Sequence, residues 1–235
     1  MPFTPSFTDV VAYEKEKGKV ISLLVSQPFA FKITLVNLLT NTLYHIPTCL
    51  LQTKLQPHEV PGFQCFKPRY MTVTSDSSVL VTTEHGVLLL RNDSWQIEPL
   101  IHPDNFWRHE ELLADGDLTT AKTSIPRRLV AVPGYKSVFI FIELFSASIR
   151  VIDLAAKSVY TLCLGVSKNR YLRYQENITR CNLLNPYSLL LLESTKKTHH
   201  IIVGTDHMLL EAEINIAGMS WLYGTSFHIW FIIFC

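Results

Sequence analysis

The stretch Val138-Phe-Ile-Phe-Ile-Glu-Leu-Phe-Ser-Ala-Ser-Ile-Arg-Val-Ile-Asp-Leu154 decides the fold of this chain. It holds two apolar runs around a short turn, and the first run has no polar residue before Glu143. A sheet with one wet face alternates polar and apolar residues, whereas a strand covered on both faces need not. The stretch therefore predicts an antiparallel hairpin that is buried between neighbouring layers.

The same pattern returns four times along the chain. Each copy opens on a proline, and the prolines lie 63, 58 and 60 residues apart, at Pro5, Pro68, Pro126 and Pro186. A second strand follows in each copy, at residues 20–25, 79–83, 138–143 and 201–203. A third strand comes next, at residues 32–38, 87–90, 149–154 and 208–214. The first three copies add a fourth strand, at residues 42–46, 95–98 and 159–162.

A four-stranded antiparallel meander repeated head to tail is the blade of a β-propeller. We predict an all-β arc of about four such blades, because stacking the next blade hides faces that one sheet leaves wet. The predicted parts are blade 1 with its crossover (1–67), blade 2 with a long junction (68–125), blade 3 with its crossover (126–185), a partial blade 4 (186–215) and an apolar tail (216–235). A β-sandwich with a chance repeat is the alternative fold, and residues 105–114 are the one good helix candidate.

The end of the repeat predicts an incomplete propeller. The fourth copy has three strands, and an apolar segment that ends in Cys235 stands in place of its fourth strand. Its most apolar part, from Phe227 to the end, is much shorter than the roughly 20 residues of a membrane-spanning helix. We expect an aberrant end or a membrane anchor here, and a larger complete protein, because an open arc leaves its terminal blades uncovered.

Four of the five cysteines repeat in position. Cys49 and Cys65 bracket the crossover after the first blade, and Cys163 and Cys181 bracket the one after the third. Free thiols buried in a cytoplasmic core are the alternative, but they would not bracket two equivalent loops. We predict two disulfides, Cys49–Cys65 and Cys163–Cys181, and hence an oxidising compartment.

The predicted disulfides say more about the localisation of the protein than its N- and C-terminal segments do. The first residues lack the basic and apolar regions of a secretory signal, so either the start is missing or the protein is cytoplasmic. Two glycosylation sequons, at Asn92 and Asn177, fall in predicted loops. We expect the extracellular space or the secretory pathway, with the cytoplasm as the alternative.

Residues 126–190 resemble an NHL repeat. The resemblance lies in Val138–Leu154 with its Ile-Arg-Val-Ile-Asp-Leu ending, in the closing strand Ser158-Val-Tyr-Thr-Leu162, and in the opening segment from Cys181 to Leu190. It is weaker over 68–100 and only positional over 5–47, and Glu143 stands where the family usually has Asp. The resemblance implies a propeller, often of six blades, that binds proteins, ligands or RNA and is not a catalyst.

The sequence carries no serine nucleophile elbow, P-loop or dinucleotide fingerprint, so we predict a protein that is not an enzyme and needs no cofactor. His199, His200 and His207 lack a second ligand cluster and are interpreted as surface histidines, so no metal is expected. Asp115-Gly-Asp117 lacks further calcium ligands and is interpreted as a turn. A secreted propeller hydrolase or lyase with a central metal remains the alternative.

The expected partner is a protein of unknown identity. The junction 101–125 carries Phe106 and Trp107, and long loops on a rigid scaffold are where binding residues concentrate. Covering a blade edge is the other role open to this pair. A formal net charge of +1 argues against nucleic acid and against a membrane surface, although Lys168, Arg170 and Arg173 could form a local basic patch.

Overall fold

The computed structural model describes residues 9–16, 19–51, 63–84, 86–101, 114–123, 125–165, 181, 183–192, 198–205 and 209–215. Apart from the 3₁₀ turn Pro28–Ala30, every regular element in these ranges is a β-strand. The chain divides into two compact units, Met1–Pro103 and Asp104–Cys235, and the division falls inside the junction. Each unit contains two antiparallel blades, and the chain has the β-propeller fold with four blades.

The first blade is a meander whose strands pair in chain order. Its strands are β1 (Val10–Glu16), β2 (Lys19–Gln27), β3 (Lys32–Asn37) and β4 (Thr42–Pro47). The Asn37 side chain closes the β3–β4 turn, because its Oδ1 accepts the backbone N–H groups of Leu39 and Thr40. Asn41 supplies the left-handed conformation that the turn needs, at φ 55°.

A two-stranded ribbon follows the first blade. Strands β5 (Cys49–Leu51) and β6 (Phe63–Cys65) pair with Cys49 directly opposite Cys65. The backbone N–H of Phe66 donates to the carbonyl oxygen of Thr48 at 2.8 Å and extends the pairing. The ends of the first crossover are therefore held together by backbone hydrogen bonds as well as by cysteines.

The second blade is shorter and more deeply buried than the first. Its strands are β7 (Met71–Val73), β8 (Val79–Thr82), β9 (Val87–Leu90) and β10 (Ile97–Ile101). The carboxylate of Asp76 accepts from Ser78 N–H within the β7–β8 turn. A hydrogen bond from the Thr74 hydroxyl, opposed by partial burial, holds the pKa of Asp76 below its usual value.

The core of the first unit lies between its two blades. Leu24, Ile33 and Ile46 of the first blade meet the second blade's residues Met71, Val79, Val81, Leu88 and Leu90. Asp9 joins the blades with a polar contact, since its Oδ2 accepts the Met71 N–H at 2.8 Å. Ser26 does the same by donating its hydroxyl to the Arg69 carbonyl oxygen at 2.7 Å.

The third blade contains one strand more than the meander predicts. Its strands are β11 (Gly116–Asp117), β12 (Pro126–Ala131), β13 (Val138–Glu143), β14 (Ser148–Asp153) and β15 (Ser158–Leu164). The short β11 pairs with β15 at the outer edge of the sheet. Every residue of β13 and of β14 is buried, as expected for strands that are covered on both faces.

The fourth blade has the three strands that the sequence predicts. They are β16 (Ser188–Leu192), β17 (Thr198–Gly204) and β18 (Leu209–Asn215). Leu189, Ile201 and Val203 pack against Ile140 and Ile142 of the third blade, and this is the core of the second unit. Gly165 lies where the crossover leaves β15, and a Cβ there would come within 2.2 Å of the Leu183 carbonyl oxygen.

Two predictions of local structure, the start of one strand and the position of one turn, are wrong. The fourth strand of the second blade begins at Ile97, not at Trp95, because Trp95 adopts a left-handed turn conformation at φ 54°. Asp115-Gly-Asp117 is not a turn, since Gly116 and Asp117 form β11. Of the predicted helix 105–114 only Ala114 is described, and it forms an isolated β-bridge with Lys122.

Candidate binding surface

Arg150 is a fully buried cation in the centre of the third blade. Its side chain has 0% exposure, and it is the largest of the fully buried side chains. Strand β14 places it beside strand β13, where its Nη1 donates to Glu143 Oε1 at 3.0 Å. Its guanidinium carbon lies 5.7 Å from the ring centroid of Phe141 on the same strand as Glu143. A buried guanidinium needs such partners because leaving a charge uncompensated in a core is costly.

The other hydrogens on Nη1 and Nη2 hold the end of the junction, whereas Nε has no hydrogen-bond partner among the described residues. Nη1 donates to the Lys122 carbonyl oxygen at 2.6 Å, and Nη2 donates to the Ala114 carbonyl oxygen at 2.7 Å. Nη2 also donates to Asp115 Oδ1 at 3.0 Å. We call Arg150, Glu143, Asp115 and these two carbonyl groups the Arg150 clamp. The clamp ties the segment 114–123 to the middle of a buried sheet.

Asp115 carries the clamp to the outer edge of the blade. Its Oδ2 accepts the Thr161 backbone N–H at 2.8 Å, and its Oδ1 accepts the Thr161 hydroxyl at 2.7 Å. Asp117 closes the next turn by accepting from Thr119. These bonds from the backbone N–H and hydroxyl of Thr119 hold the pKa of Asp117 below its usual value.

The Glu143 carboxylate has a second set of partners. Its Oε2 accepts the Ser146 hydroxyl at 2.8 Å, and Ser146 contacts Ser148 at 2.7 Å. Both carboxylate oxygens are thus engaged, one with Arg150 and one with the β13–β14 turn. The Glu at this position, which departs from the resembled family's Asp, accordingly has a local structural partner in Arg150.

The Arg150 clamp fixes one chain segment to the third blade. It pins backbone carbonyls of the segment that follows the junction, and the paired charges are enclosed by the blade. Loops that carry binding residues depend on such rigid attachment. The junction also starts from a fixed point, because Ile101 at the end of β10 has 0% exposure.

One histidine of the fourth blade, His199, does not match its interpretation as a surface residue. His199 lies inside β17 with 4% exposure, and neither ring nitrogen has a hydrogen-bond partner in the described part of the chain. Burial lowers the pKa of His199 below its usual value. His200 lies on the opposite face and contacts Glu211, with 2.9 Å between Nδ1 and Oε1. His207 is outside the described residues.

Both predicted disulfides are present. Cys49 and Cys65 have Cα atoms 4.0 Å apart across the β5–β6 ribbon, and Cys163 and Cys181 have Cα atoms 5.9 Å apart. The second pair is buried, with 2% and 7% exposure. Each bond closes the base of a crossover between successive blades.

Several predicted site residues remain predictions. Phe106, Trp107, Asn177, Lys168, Arg170 and Arg173 lie outside the described residues. Asn92 is exposed, and its Nδ2 donates to the Asp76 carbonyl oxygen at 3.1 Å while its Oδ1 accepts from the Tyr13 hydroxyl at 3.2 Å. Its glycosylation is not tested by this geometry.

Neither a metal-ligand cluster nor a membrane-spanning helix occurs in the ranges that the structure describes. Those ranges contain no group of three or more His, Cys, Asp and Glu side chains arranged to hold an ion. They also contain no helix with the length and apolar character that crossing a membrane requires.

The clamp was missed in the sequence, although two signals were available. Glu143 and Arg150 are charged residues inside strands that are otherwise nearly all apolar. Charged residues at such positions are rarely buried without a partner of opposite charge. Nothing local, however, indicates that Asp115, 35 residues earlier, would join them.

No protein-family model matches the sequence, and no curated protein matches it either. Solved structures do match. A protein of unknown function from Bacteroides thetaiotaomicron superposes with a TM-score of 0.51 at 15% identity, over 77% of this chain and 41% of its own. An auxiliary nutrient binding protein from the same species gives 0.52 at 13% identity, over 77% and 42%. The WD40 repeats of RRP9 give 0.52 at 11% identity, over 92% and 52%.

These similarities concern the fold alone, given the low identities. The chain spans between 41% and 52% of the length of the three neighbours. They agree with a β-propeller arrangement of repeated antiparallel sheets.

Proposed function

We propose that this chain is a non-catalytic scaffold of the NHL type, which binds a protein partner in the extracellular space or the secretory pathway. The observation that supports this most directly is the Arg150 clamp. In this clamp the buried guanidinium of Arg150 donates hydrogen bonds to backbone carbonyls at the end of the junction 101–125 and so fixes that end to a rigid blade. The fold itself agrees with a binding role, since one neighbour of similar fold is a nutrient binding protein.

The two disulfides support the proposed compartment. Disulfides persist in oxidising environments and are rare in reducing ones. The second disulfide is buried beside the crossover of the second unit, so it belongs to the packed structure of that unit. Asn92 and Asn177 are the proposed glycan acceptors of the secreted protein.

The proposed contact residues are Phe106 and Trp107, on the junction whose end the clamp holds. Aromatic side chains supply much of the binding energy at protein interfaces. The test replaces both with alanine and measures binding to an array of purified extracellular domains. Phe29→Ala, at an exposed aromatic with 73% exposure in the first blade, is the matched control.

The outcome of that test separates contact from packing. A variant that keeps its melting temperature and loses an interaction that Phe29→Ala retains supports the proposal. A variant that loses its fold assigns the pair to blade packing instead. Unchanged binding by a folded double variant rejects the junction as the contact site.

The other two functions have their own discriminating measurements. A central metal would be detected as stoichiometric calcium or zinc in the purified protein, and that result would favour a hydrolase or lyase. RNA binding would be detected as a gel shift that weakens steeply with salt, because phosphate contacts release counterions.

A further inference from the structure

Each blade has two faces, and the pairing register of its strands shows which residues lie on each face. In the first blade, Val10, Val25, Thr34 and His45 lie opposite one another on one face, and Val11, Leu24, Leu35 and Tyr44 on the other. We name the first the entry face and the second the exit face. The equivalent entry face of the fourth blade carries Leu189 and Val203, and its exit face carries Leu190, Ile202 and Glu211.

Both blade contacts within the units join an exit face to an entry face. In the first unit, Leu24 of the exit face packs on Val81 of the next blade's entry face. In the second unit, Ile140 of the third blade packs in the same sense on Val203 of the fourth blade. Within each unit the blades therefore stack in the same direction, with an exit face meeting an entry face.

The entry face of the first blade presents exposed and half-buried apolar side chains beside polar residues such as Thr34 and His45. Val10 and Leu43 on this face have 51% and 63% exposure, and Leu23, Val25 and Val36 are only half-buried. The equivalent positions of the second blade, Val79 and Val81, have 1% and 0% exposure because the first blade covers them. Exposed sheet faces with this many apolar residues usually mark an interaction site.

The exit face of the fourth blade is the complementary exposed face. Leu190, Leu192 and Leu209 on this face have 55%, 38% and 48% exposure. Glu211 and Glu213 lie on the same face of β18 and give it an acidic side, and Glu211 also contacts His200 on this face. The entry face of the first blade carries Lys32, whose row is completed by the uncharged Gln27 and Pro47.

We propose that the exit face of the fourth blade of one copy binds the entry face of the first blade of a second copy, so that the protein assembles head to tail. The contact repeats the exit-to-entry stacking that both units already contain. Charge complementarity between Lys32 and the acidic pair Glu211 and Glu213 favours this occupant over an unrelated apolar surface. Such a contact joins different faces, so it forms closed rings or open chains of copies.

The first test is the mass of residues 1–235 in solution as a function of concentration, measured by sedimentation. A mass that rises to a dimer or a larger assembly is expected. A folded protein that remains a monomer at every concentration overturns the proposal, and it would leave a blade from another chain as the occupant.

Two substitutions test the direction of the contact. Leu43→Glu places an acidic group on the entry face, and Leu190→Lys places a basic group on the exit face. Both positions are exposed, so both variants are expected to keep their circular dichroism spectrum and to be monomers. Phe29→Glu removes a still more exposed apolar side chain outside both faces, and this control is expected to assemble like the wild type.

Mixing the two variants is the decisive step. The Leu43→Glu copy keeps an intact exit face and the Leu190→Lys copy keeps an intact entry face. One contact can therefore form, and a one-to-one complex with nothing larger is expected. Absence of that complex, or assembly by either variant alone, overturns the proposal.

A measurement on the wild type covers the case in which a variant does not fold. Covalent surface labelling is expected to decrease at Leu43 and Leu190 as concentration rises and to stay constant at Phe29. Constant labelling at the two leucines in an assembled protein overturns the proposal, because assembly would then use other surfaces.

Discussion

At the scale of single residues, Arg150 shows how much one buried charge determines. A cation with 0% exposure is tolerated because two carboxylates and two backbone carbonyls accept the hydrogens on its Nη1 and Nη2. Removing one member of such a pair is costly, since the other charge stays buried without compensation. The exposed pair Arg91 and Glu98 provides a natural comparison, because it has the same chemistry in contact with water.

We predict that Arg150→Met lowers the free energy of unfolding by about 3–5 kcal/mol, the usual result of breaking a buried ion pair. Arg91→Met, whose side chain is 47% exposed, is expected to cost at most about 1 kcal/mol. Urea unfolding of the wild type and both variants measures the difference. Equal costs for the two variants would contradict the structural role of the clamp.

His199 is the second residue whose effect depends on its surroundings. Its ring lies edge-on to Tyr135, with 6.0 Å between the ring centroids. Burial lowers the pKa of His199 in the folded protein, so the unfolded chain binds more protons below about pH 6.5. Its contribution to stability is therefore complete above that pH and is lost as the pH falls.

We predict that the melting temperature of His199→Phe decreases less between pH 7 and pH 5 than that of the wild type. Phenylalanine keeps a ring beside Tyr135 and removes two nitrogens that have no partner in the described residues. His200→Gln, at the half-buried neighbour, is expected to keep the loss of stability in acid. Identical pH profiles for the wild type and His199→Phe would refute this account.

At the scale of elements, the two crossovers use the same covalent link in different settings. The first disulfide joins directly opposed residues of a ribbon, and Cys65 is exposed. The second disulfide lies in the core of its unit, where Cys163 is buried in the same cluster as Leu183 and Ile201. Closing loops of 16 and 18 residues restricts the unfolded chain by a similar amount in each case.

We predict that replacing Cys49 and Cys65 with alanine costs about 3 kcal/mol of stability, or roughly 6–12 °C in melting temperature. The same change at Cys163 and Cys181 is expected to cost more, because it also removes buried sulfur atoms from a packed core. Thermal melts of the two double variants measure the order.

A thiol assay supplies the control for these variants. The denatured, unreduced wild type is expected to have one reactive thiol, since four of its five cysteines are paired. Five reactive thiols in the native protein would contradict both the disulfides and the proposed compartment.

At the scale of the whole molecule, the chain consists of two units with separate cores. In each unit one blade covers the entry face of the next. Strands that are rich in leucine, isoleucine and valine supply the contact in both units. The proposed assembly applies that contact once more, between copies. The distribution of exposed apolar side chains, and not the net charge of +1, is therefore the feature that points to a partner.

The repeat, the blade architecture and the disulfide pairing were all predictable from the sequence. They depend on short-range patterns, such as strand periodicity, turn residues and the spacing of cysteines around a loop. Prolines at equivalent positions and the apolar run from Val138 to Ile142 carried that information. The propeller prediction is confirmed, whereas assignment to the NHL type remains a proposal.

Only the tertiary structure decided where the charged residues lie. Glu143 and Arg150 belong to one hairpin, but Asp115 joins them from 35 residues before Arg150, and β11 follows it directly and pairs with β15. Likewise, His199 and His200 are neighbours in sequence, but the pleat of β17 buries the first and leaves the second half-buried. The physical reason is that burial depends on what covers a residue, and that covering sheet comes from another part of the chain.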